Sequence, residues 1–323
     1  MRDALGREID YLRLSVTDRC DLRCVYCMPR EGVPTIPRSE LLSYEEILRI
    51  VGLLAEQGIK KVRLTGGEPL VRKGLPKLVE GLKRTNGIET VYLTTNGMLL
   101  SEMLPELVAA GLDGVNISID ALSEEVFQKI TGSGGVCKVL RSIDEALKYS
   151  SLRVKLNCVA TELNRSEILP MAERFLKDER ISLRFIELMP IGLGKECEPV
   201  WESELMSMLE GRFGSLLPLP HNRCDGPCRS YRSEGFAGTL GFISAVSSCF
   251  CESCNRVRLT AGGFLKSCLQ YDRGVELKPL LSESDAVLSQ AICGAIWEKP
   301  ARHMFYGGAG EHLEEHTMSQ IGG

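Results

Sequence analysis

The sequence predicts an α/β protein. Residues 1–190 form an incomplete TIM-like barrel of six βα units, and residues 191–323 form a smaller metal-bearing domain packed on its open side. Three observations carry this reading. Short runs rich in branched and aromatic residues alternate with helical stretches six times, which calls for a parallel sheet joined by right-handed crossovers. Residues with unusual chemistry follow the strand ends, where α/β folds bind ligands whether the sheet closes or stays open. After Pro190 the alternation stops and glycine, proline and cysteine take over. Periodicity alone leaves a doubly wound open sheet as the alternative.

Taken in order, residues 9–16 (IDYLRLSV) read as the first strand. Pro29, Gly32, Pro34 and Pro37 then exclude a helix. Ser43 opens one, with Glu46 completing a capping box and Ile47, Ile50, Val51 and Leu54 on one face, and Gly58 stops it. Strands follow at 61–65 (KVRLT), 90–94 (TVYLT), 113–120 (DGVNISID), 152–160 (LRVKLNCVA) and 181–188 (ISLRFIEL). Helices are expected at 74–84, near 101–110, in two pieces ending near Tyr149, and at 166–177. Beyond a linker at 192–195, residues 201–213 read as a short helix and 238–246 as a hairpin.

Composition narrows the function. A hydrophobic fraction of 44% and a charged fraction of 25% belong to an ordinary globular protein. A net charge of −4 gives no overall attraction for nucleic acid or an acidic membrane, so an anionic substrate must be held by local arginines and lysines. No apolar run is long enough to span a bilayer and MRDALGREID is not signal-like, so a cytoplasmic location is expected. There, thirteen cysteines point to metal rather than to disulfides.

Residues 18–28 (DRCDLRCVYCM) place Cys20, Cys24 and Cys27 in one loop after the first strand. Three thiolates suit iron–sulfur or zinc and leave one coordination position open. Gly66-Gly67-Glu68-Pro69 follows the second strand as a turn that lets a ligand approach the backbone. Thr94, Asn96 and Ser118 stand at later strand ends. A second triplet, Cys251, Cys254 and Cys268, brackets Asn255-Arg256-Val257-Arg258, whose two arginines share one strand face and suit a phosphate or a purine. A zinc site completed by Cys249 or His221 remains open for this triplet. Lys61, Arg63, Lys155 and Arg184 lie inside strands, where burial is costly unless an anion pairs with them.

The first triplet with Tyr26 and the GGEP turn resembles the radical S-adenosylmethionine (SAM) superfamily. Together with LRLSVTDRC and FCESCNRVRLT…CL, the chain resembles one family end to end: the GTP 3′,8-cyclases of molybdenum-cofactor biosynthesis. That resemblance implies a lyase with two [4Fe–4S] clusters, the first on Cys20, Cys24 and Cys27 and the second on Cys251, Cys254 and Cys268. It implies a 5′-deoxyadenosyl radical that takes hydrogen from the ribose C3′ of GTP, after which C3′ attacks C8 to give 3′,8-cyclo-7,8-dihydro-GTP. Tyr26, Gly66, Gly67, Glu68, Asn96, Ser118 and Met189 fall on the SAM side. Arg13, Lys61, Arg63, Thr94, Lys155, Arg184, Arg256, Val257 and Arg258 fall on the GTP side, with Arg13 and Arg63 expected at the reacting centre. The terminal Gly322-Gly323 is expected to thread toward the radical site. Implied partners are a reducing electron-donor protein and a downstream pterin synthase, with a homodimer admissible and neither nucleic acid nor membrane involved. Rival readings are a peptide-modifying radical-SAM enzyme with an auxiliary cluster and a zinc-stabilised nucleic-acid-binding protein. Cys224, Cys228, Cys249 and the acidic stretch 307–317 depart from the expected pattern and have no role in it.

Overall fold

The computed structural model describes residues 1–220, 226–305, 313–314 and 316–322. The barrel strands are β1 (Tyr11–Ser15), β2 (Lys61–Thr65), β3 (Thr90–Thr95), β4 (Gly114–Ser118), β5 (Arg153–Ala160) and β6 (Ile181–Glu187). Between them run α1 (Tyr44–Glu56), α2 (Leu75–Arg84), α3 (Leu100–Ala109), α4 (Glu124–Thr131), α5 (Val136–Ala146) and α6 (Ile168–Phe175). The Ser43–Glu46 capping box forms as expected and satisfies two backbone donors at the start of α1. The expected helix at 166–177 starts later, because residues 162–167 tighten into a 3₁₀ segment first.

The last third of the chain contributes α7 (Glu202–Phe213), β7 (Leu217–Pro218), β8 (Arg229–Arg232), β9 (Thr239–Ile243), β10 (Arg256–Leu259), β11 (Phe264–Lys266), β12 (Gly274–Glu276), α8 (Asp285–Trp297) and α9 (Met318–Ile321). The expected hairpin at 238–246 is instead the antiparallel pair β8–β9, in which 239–243 supplies only the second strand. All of these strands belong to one sheet of twelve, ordered β12-β11-β10-β1-β2-β3-β4-β5-β6-β9-β8-β7. The six barrel strands thus run consecutively, with no reversal of order. A doubly wound sheet needs such a reversal at its switch point, so that alternative falls. Strand β10 extends the barrel in parallel beyond β1, and β9 extends it in parallel beyond β6.

Strand alternation divides the sheet sharply. On one face Leu12, Leu14, Val62, Leu64, Val91, Leu93, Val115, Ile117, Leu156, Leu183, Val257 and Leu259 are fully buried and form the core with the helices. Burying each such side chain is worth about 1.5–3 kcal/mol. On the inner face the register aligns Arg256 and Arg258 with Tyr11 and Arg13, then with Lys61 and Arg63. It continues through Tyr92 and Thr94, Asn116, Lys155, Asn157 and Arg184. Most parallel strands are apolar on both faces. These keep a polar, cationic lining, and a lining of that kind requires a polar occupant.

Candidate active site

The cysteine loop leaves β1 and is stitched to the turn after β2. The Gly67 and Glu68 amides donate to the Thr17 and Arg19 carbonyls at 2.7 Å each. A Cβ on Gly67 would stand 2.4 Å from the Arg19 carbonyl oxygen, and one on Gly66 would stand 2.6 Å from that of Thr17. The two glycines therefore exist to let this turn lie flat on the chain just before Cys20. Glu68, expected on the cofactor side, spends its buried carboxylate inside the protein. It accepts from the Leu70 amide at 3.0 Å, the Thr95 hydroxyl at 2.8 Å and the Asn96 amide at 2.7 Å. Burial nonetheless pushes its carboxyl up to about 7. It ties the β2 and β3 ends together and positions Asn96, whose side-chain amide reaches Asp21 at 2.7 Å beside Cys20.

Tyr26 donates its hydroxyl to Asp120, the residue two beyond Ser118, and Asp120 also accepts the Val159 amide at 2.8 Å. The aromatic position of the loop is thereby pinned to the ends of β4 and β5. Burial raises Cys20 to about 12 and Cys27 to about 11, and Cys24 lies well above its usual range. For Cys20 the nearby Asp21 and Glu68 carboxylates add to the shift. Ser118 and Met189 sit half-exposed at the ends of β4 and β6.

The second triplet has the opposite surroundings. Burial pushes Cys254 up, but Arg256 and Lys299 outweigh it and hold the thiol at about 6. Lys299 donates to the Arg256 carbonyl at 2.8 Å and also to that of Ser267, and its charge reaches both Cys254 and Cys268. Lys299 comes from an irregular loop after α8, where no pattern marks it in advance. A cavity of about 280 Å³ opens here, lined by Arg7, Asp10, Phe250, Cys254, Asn255 and Arg256. A larger one of about 540 Å³ runs beside α9, past Thr260, Lys266, Glu314 and Gln320, and touches none of the six cysteines.

Between the triplets lies the cationic lining. Arg63 donates to the Tyr11 hydroxyl and to Thr94 at 3.3 Å. The Lys61 ammonium stands 4.8 Å from the ring centres of both Tyr11 and Tyr92, and Lys155 stands 5.9 Å from that of Tyr92. Arg184 donates to Ser182 at 3.2 Å. Burial lowers Arg13 to about 10, with Arg63 and Arg256 adding to the shift against Tyr11. Burial raises Tyr11, yet the charges of Arg63, Arg13 and Lys61 prevail and bring its phenol down to about 7. The rings of Tyr11 and Tyr92 were missed at the sequence level, although period-two alternation from Arg13 and Thr94 puts both on the cationic face. The Val257 side chain is fully buried on the apolar face, in register with Leu12, so only its backbone, between Arg256 and Arg258, faces the lining.

The tail joins the two ends of the site. Cys27 accepts from the Ser319 backbone, and Arg258 donates to the Gly322 carbonyl at 2.7 Å. Gly322 adopts φ +73°, and a Cβ there would meet Ser15 at 2.8 Å. Gly323, Cys224 and His221, together with 307–312 and 315 of the acidic stretch, lie outside the described residues. Within that stretch Glu314 is buried and ion-paired with Lys266, so it neutralises a lysine beneath Arg258. Cys228 is a core thiol packed against Gly241.

Three thiols in each triplet are a donor set that an iron–sulfur cluster accepts. Three thiolates on one zinc lie about 3.8 Å apart given Zn–S bonds of about 2.3 Å. Among the described residues the metal-ligating atoms that gather within 4.8 Å of one another are those of Cys249, Cys251 and His303, and neither triplet is so close.

Residues 14–175 match the Radical SAM superfamily and residues 181–305 match Molybdenum Cofactor Synthesis C. The GTP 3′,8-cyclase of Clostridium perfringens strain SM101 is 46% identical over 94% of this chain and 95% of its own length. The chain belongs to the GTP 3′,8-cyclase family. Another member, from Desulforamulus reducens, is 44% identical over the whole of both chains. The molybdenum cofactor biosynthesis protein moc-5 of Caenorhabditis elegans is 41% identical over 94% of this chain, which spans 51% of it. The Streptococcus suis protein SuiB bound to S-adenosylmethionine shares the fold at 15% identity, with a TM-score of 0.60 over 90% of this chain and 68% of its own. As in the rest of the superfamily, SAM and a [4Fe–4S] cluster belong to the first triplet's half of the chain.

Proposed function

We propose that this enzyme converts GTP to 3′,8-cyclo-7,8-dihydro-GTP as a lyase of molybdenum-cofactor biosynthesis. The observation that carries the reading is the cationic lining between two thiol triplets. Cations in that number are costly to bury, by several kcal/mol each, unless an anion neutralises them. A triphosphate does so. Arg256 and Arg258 offer forked donors beside the second triplet, while Arg13, Arg63, Lys155 and Arg184 line the adjoining wall.

Cys20, Cys24 and Cys27 would hold the cluster that, with SAM and an electron, would supply the carbon radical that starts the rearrangement. The residues around it hold the reactants and exclude solvent. Tyr26, Asn96 and the Gly66–Gly67 turn form the rim on the SAM side, with Ser118 and Met189 across from them. Gly322 closes the mouth over Ser15 and Thr65, which limits the solvent able to quench a radical. Cys251, Cys254 and Cys268 would hold a second [4Fe–4S] cluster, which would supply a binding position for the substrate base, and Arg256 and Lys299 keep the Cys254 thiolate available.

An electron-donor protein reduces the first cluster, and a pterin synthase receives the product. The enzyme works in the cytoplasm, either alone or as a homodimer. Among the described residues no helix is long and apolar enough to cross a membrane. The test is anaerobic reconstitution with iron and sulfide, followed by turnover with SAM, GTP and a low-potential reductant such as dithionite. Two four-iron clusters and GTP-dependent formation of 5′-deoxyadenosine and cyclised product are expected. Cluster loading without GTP-dependent product would overturn the assignment, and so would a colourless protein carrying zinc.

A further inference from the structure

We propose that Cys249, Cys251 and His303 form a binding site for a single soft divalent cation, with zinc as the fitting ion, that takes Cys251 away from the second triplet. The two sulfurs and a His303 ring nitrogen all lie within 4.8 Å of one another. Zinc bonds of about 2.3 Å to sulfur and about 2.0 Å to nitrogen need edges of about 3.5–3.8 Å, so binding would draw the three side chains about 1 Å closer than that upper bound. Two thiolates and an imidazole are a soft set that selects zinc or cobalt over magnesium or calcium.

His303 adds an independent reason. Both its ring nitrogens are covered, and beyond the Ala245 backbone no hydrogen-bond partner meets the ring among the described residues. The Ala245 backbone approaches the ring, which is the kind of outer partner that orients a ligating imidazole. The His303 backbone amide donates to the Cys251 sulfur at 3.4 Å, so two of the three ligands are already held together. Cys249 is exposed and gives an ion a way in from solvent. Three protein ligands leave a fourth position for water or an anion.

The consequence rests on the assignment of Cys251 to the second cluster. Cys251 cannot serve both groups, so zinc here and a cluster there exclude each other. A chain that has lost its second cluster would hold zinc at Cys249, Cys251 and His303 until the ion is removed.

The test is anaerobic titration of the iron-free full chain with Co²⁺, followed by displacement with Zn²⁺. Tetrahedral thiolate–cobalt absorbance is expected, with one equivalent of zinc displacing the part of it that Cys249→Ser removes. Cys249→Ser and His303→Gln should each weaken that binding by about tenfold or more, whereas Cys254→Ser and Cys268→Ser should leave it intact. Zinc added before iron should also slow loading of the second triplet in the parent chain but not in Cys249→Ser. Equal cobalt affinity in the parent, Cys249→Ser and His303→Gln would overturn the site. Loss of binding in Cys254→Ser or Cys268→Ser would overturn it too, by placing the ion on the triplet. Iron loading without added zinc reads the cluster assignment separately, so the two readings can fail independently.

Discussion

The two cysteine triplets contain the same ligands and sit in opposite electrostatic surroundings. Cys20, Cys24 and Cys27 are raised by burial, and Asp21, Glu68 and Asp120 carboxylates stand near them. Around Cys254 and Cys268 the neighbours are Arg256, Arg258 and Lys299, and the Cys254 thiol falls to about 6. Ligand count therefore does not distinguish the two sites, but their neighbours do. Negative surroundings favour a site that meets a cationic sulfonium compound such as SAM. Positive surroundings favour one that meets a nucleoside triphosphate.

The largest effect that would break this comparison comes from the thiols. Cys24→Ser should abolish SAM cleavage, whereas Cys254→Ser should leave some 5′-deoxyadenosine formation uncoupled from product. Equal loss in both variants, with the fold intact by circular dichroism, would mean that the triplets do not divide the work. Next comes the cationic side. Arg256→Ala should weaken GTP binding on the order of 2 kcal/mol, about thirtyfold in affinity by calorimetry, with both clusters retained. Arg258→Ala should do the same and also free Gly322. Unchanged affinity in the double variant would leave the positive surroundings without an anionic ligand.

A subtler change sharpens the comparison at the join. Gly322→Val places a side chain 2.8 Å or less from Ser15 in a left-handed backbone that valine resists. SAM cleavage and GTP binding should survive, while the yield of cyclised product per 5′-deoxyadenosine falls. An unchanged ratio would make the tail a passive cover. The smallest effect concerns Tyr11. Its phenol lies at about 7 in the folded protein and near 10 when unfolded, so the folded state holds fewer protons across that window. Stability of the GTP-free enzyme should then rise with pH from about 7 to about 10, and Tyr11→Phe should remove the rise. GTP should shift the tyrosinate transition upward, because it brings negative charge to the same wall. A transition near 10 that ignores GTP would place Tyr11 outside the cation cluster.

Much of this was legible in the sequence. Strand positions showed through because every inner-face polar residue alternates with a branched apolar one, and the Ser43–Glu46 cap and both triplets are local patterns. Other features depend on long-range pairing. Alternation around Arg256 and Arg258 already sends Val257 to the opposite face, but only register with Leu12 shows that face to be the packed one. Glu68's role in tying the strand ends together was not legible, because its three hydrogen-bond donors come from later in the chain. Lys299 and His303 lie in an irregular loop where no period applies. The acidic stretch made sense only once Glu314 met Lys266.

The continuous sheet also sets the order in which the protein can be made. Strand β1 waits for β10 as its outer neighbour, and β6 waits for β9, so both edges of the six-stranded barrel stay unpaired until most of the chain has emerged. Such distant pairings slow folding, and bare parallel edges invite other chains to add on. A fragment ending at residue 190 would therefore expose two adhesive edges and aggregate rather than behave as an independent unit. The two regions matched by different families thus share one sheet and are expected to fold as a single unit.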